Sequence, residues 1–340
     1  MTVAAPSRTV LMDAVRTAVL APSLHNSQPW RFRVGRGRVD VHADQSRRLA
    51  VLDPSGREMM ISVGAAVFTL RVALRRHGFV PGLELFPDAG EPDLVARLTA
   101  ARFAVPTPAA ELLAEAIPHR HTNRWPFGPR PVPAAALGEL ADAARREGAF
   151  LSVAGPDTTS AVLELARTAD LELRGRPGYR AELGRWTAGG AKRRDGVPVR
   201  AMGPTDRLRT LPVRHFAEAL AFPLPSAPFE SDPAILVLAT AGDTVFDHLR
   251  AGQALQRVLL TATSLGLATG LISQPAELAA TRARLADAVS SAWPQIVLRV
   301  GDGRPVRSTP RRPLEETLLP SGGPAAAPAA RAGRSRWSPR

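Results

Sequence analysis

Four short stretches of this chain carry residues whose types and spacing suit chemistry. The first, APSLHNSQPWRFRV at residues 21–34, sets Ser23, His25, Asn26, Ser27 and Gln28 between Pro22 and Pro29. Pro22 ends a helical pattern, and Pro29 is expected to force Gln28 into an extended conformation. Five polar side chains in a short loop anchored by Trp30 can offer hydrogen bonds to a planar heterocycle. A helix cap followed by a turn has the same composition. The second stretch, HRHTNRWPF at residues 119–127, interleaves Arg120, Thr122 and Arg124. Two guanidiniums and a hydroxyl suit a phosphate dianion, because the arginine fork matches its geometry and charge. A solvated basic turn is the other reading. His119 and His121 have no carboxylate or further histidine at ligand spacing, so they do not read as a metal pair. The third stretch, SLGLATGLISQP at residues 264–275, reads as a helix end, a strand and an exit turn. The fourth, STPRRPLEETL at residues 308–318, puts Arg311 and Arg312 before Pro313 and a short helix with Glu315 and Glu316.

The elements that must position these stretches come from a chain of 340 residues, enough for two domains or one large one. Hydrophobic residues make up 45% and charged residues 22%, which argues against wholesale disorder. The absence of cysteine excludes disulfides, zinc–thiolate sites, iron–sulfur clusters and thiol nucleophiles, and fits a reducing cytosol. Arg8, Asp13 and Arg16 interrupt the first helix, so residues 1–20 are no signal peptide. No apolar run approaches the ~18 residues that span a bilayer. A cytoplasmic protein without a membrane partner is expected.

The net charge of +13 comes from 43 arginines and one lysine, Lys192, a bias that reflects a GC-rich genome rather than a partner. Residues 321–340 hold +4 and residues 185–214 hold +6, leaving +3 for the rest. Both segments are rich in glycine and proline. Neither forms a basic recognition helix or aromatic-interleaved strands, so no nucleic-acid partner is expected.

Periodicity predicts helices over residues 7–21, 56–77, 112–118, 134–147, 158–172 and 246–265. Gly78 and Gly266 close the second and the last of these. Gly35-Arg36-Gly37 reads as a hairpin turn between strands 31–34 and 38–43, and further strands are expected at 150–154, 234–240 and 295–300. This is an α+β pattern with few strands and long buried helices. A shift of 188 residues lays GAAVFTLRVALRRHGFVPGL, from Gly64, on GQALQRVLLTATSLGLATGL, from Gly252. Gly64/Gly252, Ala66/Ala254, Gly78/Gly266, Gly82/Gly270 and Leu83/Leu271 are identical. Matched glycines after matched helices point to two fused, diverged copies of one fold.

Taken in order, the four stretches resemble the FMN-dependent nitroreductase superfamily. That family has an Arg-x-Ser/Thr-x-Arg/Lys phosphate motif, a Pro-Ser-x-x-Asn-x-Gln-Pro-Trp loop, a glycine-bounded strand along the isoalloxazine, and a basic residue before a Pro-Leu-Glu-Glu-like tail. Here PSLHNSQPW, RHTNR, GLATGLIS and RRPLEE match these parts. The order departs from the family, whose subunits carry the phosphate motif first and pair as homodimers. In this chain the loop lies in the first half and the phosphate motif opens the second. The pattern resembles the actinobacterial Acg-type proteins over nearly the full length.

The resemblance implies a nitroreductase fold in two fused copies, a monomer acting as an intramolecular pseudo-dimer with one FMN. The halves would be residues 1–115 and 116–320, with a lid at 188–215 and a disordered basic tail at 321–340. It implies that Arg120, Thr122 and Arg311 clamp the FMN phosphate, that His121 lies by the ribityl chain or phosphate, and that Arg124 reaches the pyrimidine end of the ring. Ser23, Leu24 and Asn26 would cover the ring from the other half. Leu271 and Ser273 would supply backbone near the nitrogen that accepts hydride. Family members carry proline at the Leu271 position, and an acidic or small residue then glycine where Ser273 and Gln274 stand. The implied activity is hydride transfer from NAD(P)H through FMN to a small nitro-aromatic or quinone-like acceptor, restricted by the lid. The alternative is an FMN-sequestering or redox-sensing flavoprotein with little turnover. The flavin carries the hydride, so no side chain is assigned a catalytic role.

Overall fold

Two stretches of twenty residues with the same apolar pattern form the centre of the molecule. The computed structural model describes residues 5–187, 193–208, 210–212, 214, 216, 220, 222–290 and 293–320. The first half runs α1 (Arg8–Ala18), β1 (Trp30–Gly35), β2 (Arg38–Ala43), α2 (Arg57–Arg76), β3 (Phe79–Leu85), β4 (Leu94–Phe103) and α3 (Pro108–Ala116). The second begins with α4 (Ala134–Arg145), β5 (Phe150–Val153), α5 (Pro156–Gly175), α6 (Tyr179–Thr187), β6 (Thr205–Asp206) and β7 (Ser226–Ala227). It continues with β8 (Ala234–Thr240), α7 (Val245–Ser264), β9 (Ala268–Leu271), α8 (Gln274–Glu277), α9 (Ala279–Ala288), β10 (Trp293–Gly301) and α10 (Leu314–Thr317).

Each half builds a four-stranded antiparallel sheet, in the order β1-β2-β4-β3 and β5-β8-β10-β9. The topology is the same in both: the first two strands, the long helix, then the last two strands with the fourth inserted beside the second. The second half interposes α5 and α6 after its first strand and α8 and α9 after its third. The helices α2 and α7 begin and end 188 residues apart, the shift read from the sequence. Both end on glycines in the left-handed region, Gly78 at φ +81° and Gly266 at φ +72°, where a β-carbon would be strained. Thr244 and Asp247 form a capping box that starts α7.

The two long helices cross where Gly64 meets Gly252. A β-carbon on Gly64 would overlap the Leu249 carbonyl oxygen and stand 3.0 Å from Gly252 Cα. One on Gly252 would overlap the Ile61 carbonyl oxygen and stand 2.9 Å from Gly64 Cα. Ile61 and Leu249 are themselves 188 residues apart. They are also exchanged between cores: Leu249 is buried in the core beneath the first sheet, and Ile61 in the core beneath the second. Position i of one helix therefore meets position j of the other and the reverse, which is the contact rule of a two-fold interface.

Some elements differ from the sequence reading. The helix expected at 112–118 starts earlier, at Pro108, because Thr107 caps it and accepts from the Ala110 amide at 3.3 Å. β3 holds Pro81 and Gly82, which mask a strand in sequence, and Pro81 is tolerated because β3 is an edge strand. β4 is masked by arginine. Arg97 makes a forked pair to buried Asp40 at 2.7 and 3.1 Å, a tertiary partner that periodicity does not reveal. After β10 the chain crosses back to the first half. There Leu314 and Leu318 pack on its core, and the Leu319 amide donates to Phe32 O at 2.8 Å. The tail expected at 321–340, and positions 188–192, 209, 213 and 215 of the expected lid, lie outside the described residues.

Candidate functional site

Arg120, Arg124 and Arg311 come together where the two halves join. Arg120, His121, Thr122, Arg124, Arg307 and Arg311 line a small cavity, about 30 Å³, with Pro22, Ser23, Asn26, Val197 and Thr309. The segment carrying Arg120 is positioned by the edge of the second sheet: the Asn123 amide donates to Thr269 O at 2.7 Å, and Thr122 bridges Thr269 of β9. Arg120 is 4% exposed, and its Nε and Nη1 are buried without a hydrogen-bond partner. Burial, then Arg311 and Arg124, push its guanidinium down to about 9. Burial and Arg214 lower Arg124 to about 10, and burial alone lowers Arg311 to about 10. Among the described residues none of the three has a carboxylate as an ion-pair partner. His121 is lowered to about 4 by burial, Arg120, Arg311 and His119, and is neutral near pH 7. Enclosed positive charge without a counter-ion is costly, and an anion in the cavity removes that cost.

Arg311 differs from Arg120 in its contacts. Its Nε donates to Val19 O at 2.9 Å, and its Nη2 to Leu20 O and Ala21 O at 3.0 and 3.2 Å. Nη1 donates to Asn26 Oδ1 at 3.1 Å and to Thr309 Oγ1 at 2.7 Å. The guanidinium therefore braces the carbonyls that follow α1, and it contributes charge to the cavity rather than free donors.

The loop between Pro22 and Pro29 is held in an unusual shape. His25, Asn26 and Gln28 all lie at positive φ (+47°, +55° and +52°). Gln28 is thus left-handed instead of extended. The Ser23 hydroxyl accepts its amide at 2.9 Å, and its carboxamide spans Arg194 O at 3.0 Å and the Arg312 amide at 2.9 Å. Asn26 Nδ2 donates to Gly196 O and to Pro310 O, both at 2.9 Å. Arg47 adds ion-paired contact to Asp195 and lies 5.4 Å over the Trp186 ring. The loop of the first half, the segment after α6 and the C-terminal crossing are thereby tied together at two carboxamides.

A second cavity, about 80 Å³, adjoins the first and shares Pro22, Ser23, Thr122 and Arg124 with it. Leu24 and His25 form one wall, and Gly270, Leu271, Ile272 and Ser273 at the end of β9 form another. Met202, Arg214 and Phe216 cover it. Arg214 pairs with the fully buried Glu277, which also accepts from Ser273 Oγ at 2.7 Å. Arg124 Nη1 donates to Ala201 O at 2.9 Å, and its guanidinium lies 5.3 Å from the Phe216 ring. A small charged cavity therefore leads into a larger cleft of mixed walls, a shape suited to a flat ring system bearing an anionic chain.

No family model matches the chain. A Mycobacterium tuberculosis protein named "Putative NAD(P)H nitroreductase Rv3131" is 37% identical to it over 322 residues, 92% of this chain and 90% of that one. The same organism's "Putative NAD(P)H nitroreductase acg" is 32% identical over 321 residues, covering 91% and 95%. This chain belongs to their family. Among solved structures, an FMN-bound nitroreductase from Desulfitobacterium hafniense is 13% identical over 62% of this chain and 98% of its own, with a TM-score of 0.39.

In this chain all ten residues singled out from the sequence line one or other of the adjoining cavities. Asn26 and Arg120, from different halves, face the same cavity. Residues not singled out include Arg214, Phe216, Met202, Arg299, Arg307 and Thr309, and His25 enters the sequence reading only as loop composition. Arg214 was visible as part of the basic excess at 185–214, but its buried partner Glu277 lies 63 positions away and left no local signal. Among the described residues no helix is long and apolar enough to cross a membrane, and no group of three or more His, Asp or Glu could hold a metal ion.

Asn26→Ala is expected to loosen the cover over the cavities. It removes two hydrogen bonds to carbonyls of the cover and the C-terminal crossing, and the one that Asn26 Oδ1 accepts from Arg311. At about 1 kcal/mol each, this is at least a tenfold rise in local opening. Amide exchange of Gly196 and Val197 reads it directly, and unchanged protection there would contradict the role given to this side chain.

Proposed function

We propose that this protein is an FMN-dependent NAD(P)H oxidoreductase of nitroreductase type, with one flavin per chain. The observation that carries the reading is Arg120: a buried cation with two donors unpartnered among the described residues, beside Arg124 and Arg311, in a small cavity that adjoins a larger cleft. A phosphate monoester supplies the missing counter-charge and acceptors, and the attached ring has the adjoining cavity to fill. The relatives are named putative NAD(P)H nitroreductases, and the sequence motifs, which resemble those of FMN-dependent nitroreductases, make FMN the fitting ligand.

When bound, FMN supplies two-electron hydride acceptance and donation. The chain's own residues do the rest. Arg120 and the Thr122 hydroxyl hold the phosphate, with Ser23 beside them. Arg311 adds charge while bracing the loop. Arg124 places positive charge at the mouth of the ring cavity, where it stabilises negative charge developing on a bound ring. His121, neutral, lies against the phosphate or the sugar chain. Asn26 keeps the loop and cover in place, Leu24 closes one side of the cleft, and Leu271 and Ser273 form the opposite wall.

Two copies of one fold, joined as a pseudo-dimer, account for the shared topology, the 188-residue shift and the reciprocal Gly64–Gly252 crossing. The second copy has only the short turn 146–149 where the first has the Pro22–Pro29 loop, which supports a single site. The cover formed by Val197, Met202 and Phe216 favours restricted access, so turnover is slow and nitro-aromatic or quinone-like acceptors reach the ring when it opens.

Titration of full-length protein with FMN and with riboflavin tests the reading. Charge-assisted hydrogen bonds contribute about 1.5–3 kcal/mol each, so FMN is expected to bind at least about 100-fold more tightly, at one per chain. Anaerobic NADPH should then bleach the flavin band. Equal binding of the two flavins removes the phosphate assignment, and a ratio of two flavins per chain removes the single site. Persistent colour under NADPH leaves a flavin-holding protein without turnover.

A further inference from the structure

His25 is buried in the wall of the larger cavity with nothing to bind. It is 6% exposed, and neither ring nitrogen has a hydrogen-bond partner among the described residues. The neighbouring cations are engaged elsewhere: Arg214 with Glu277 and, at 3.2 Å, with Tyr179 Oη, and Arg124 with Ala201 O. The imidazole touches Phe216 edge-on at 5.5 Å between centroids, a contact that fixes its plane and satisfies neither nitrogen. The backbone holds the side chain there at φ +47°, in the left-handed region that few non-glycine residues adopt. Two unmade hydrogen bonds in a buried ring are unfavourable. A water-filled or ligand-filled cleft is the place where that cost can be recovered.

Burial, Arg214 and Arg124 hold His25 well below the usual histidine range. It is therefore neutral, with one nitrogen a donor and the other an acceptor. A cationic ligand group would be repelled by the two guanidiniums. A neutral imide or carboxamide presents a carbonyl oxygen and an N–H side by side, and so answers either ring nitrogen in either tautomer.

We propose that His25 is the positioning residue of the larger cavity, hydrogen-bonding the neutral imide or carboxamide edge of the planar heterocycle bound there. This rests on the flavin reading above for the cavity's occupant. Two sources carry that chemistry: the imide of the flavin ring and the carboxamide of the nicotinamide.

Full-length protein labelled with ¹⁵N-histidine tests this at pH 7. The chain has seven histidines, and the His25 signals are those lost in His25→Asn. FMN is added first, then NADP⁺, while the flavin absorption band is followed separately. A hydrogen-bonded, slowly exchanging His25 ring proton on FMN addition supports the proposal with the flavin as source. Its appearance only after NADP⁺ supports it with the nicotinamide as source. No change in either step, with the flavin band showing FMN bound, overturns the proposal and leaves the flavin reading standing. If FMN fails to bind, the flavin reading falls, and NADP⁺ alone then decides for or against His25. In the matching affinity measurement, His25→Phe should weaken the responsible ligand about tenfold, while His25→Asn, which keeps a donor and an acceptor, should stay within about threefold. Equal weakening by both variants would mark a purely steric role and overturn the assignment.

Discussion

Arg120→Met is expected to cost at least about 100-fold in FMN affinity without destabilising the ligand-free protein. The two halves of this outcome have one cause. In the free protein, Nε and Nη1 of Arg120 are buried and unpartnered, with Arg311 and Arg124 as neighbours of the same sign. Methionine fills similar space, removes the unpaired charge and leaves no other group without its partner, since Arg120 holds no side-chain hydrogen bond that would be lost. Replacing a buried unsatisfied ion by an apolar isostere is neutral or stabilising. The ligand-free melting temperature should therefore stay level or rise by a few degrees. With phosphate present the balance reverses, because two charge-assisted hydrogen bonds disappear at about 1.5–3 kcal/mol each. Calorimetry of the ligand-free form and FMN titration are read together. A variant that melts well below the parent, or that keeps its flavin, would show that Arg120 serves the fold and not an anion.

The second large effect is expected at the helix crossing. Gly64→Ala places a methyl group on the Leu249 carbonyl and against Gly252 Cα, and both obstacles are backbone. The helices must separate, opening both cores at once because Ile61 and Leu249 are each embedded in the core of the opposite half. Overpacking of this kind costs about 1–3 kcal/mol or more, and the melting temperature should fall by about 5 °C or more. Gly252→Ala should cost as much, by the reciprocity of the contact. The double variant should cost less than the sum, since one widening of the crossing accommodates both methyl groups. Gly138→Ala, in α4 with nothing within 4 Å, is the control and should be neutral or slightly stabilising. Strict additivity of the two central variants would argue against a shared contact. The site should respond as well, because the Leu24 amide donates to Ser62 Oγ on α2 at 3.1 Å and so follows any movement of that helix.

Much of this was legible in the chain. The long helices, their glycine ends and the strand at residues 234–240 follow from local apolar spacing and backbone preference, which act over a few residues. The shift of 188 is legible for the same reason: a duplicated helix keeps its pattern while its surface diverges. Less legible were β3, where proline and glycine sit on a sheet edge, and β4, where Arg97 is accommodated by Asp40 from the neighbouring strand. Gln28 shows the limit most plainly. The proline after it favours an extended backbone, yet its carboxamide is pinned by Arg194 and Arg312, which are 166 and 284 positions away. Those tertiary hydrogen bonds outweigh the local preference.

By itself the sequence determined which side chains carry charge and hydrogen bonds, and that the chain repeats. It could not determine their pairing, because whether an arginine is free depends on which carboxylates the fold brings near it. Arg120, Arg214 and Arg311 are alike in composition. Only the tertiary structure made Arg214 half of a buried ion pair, Arg311 a brace for backbone carbonyls, and Arg120 a cation still lacking its anion.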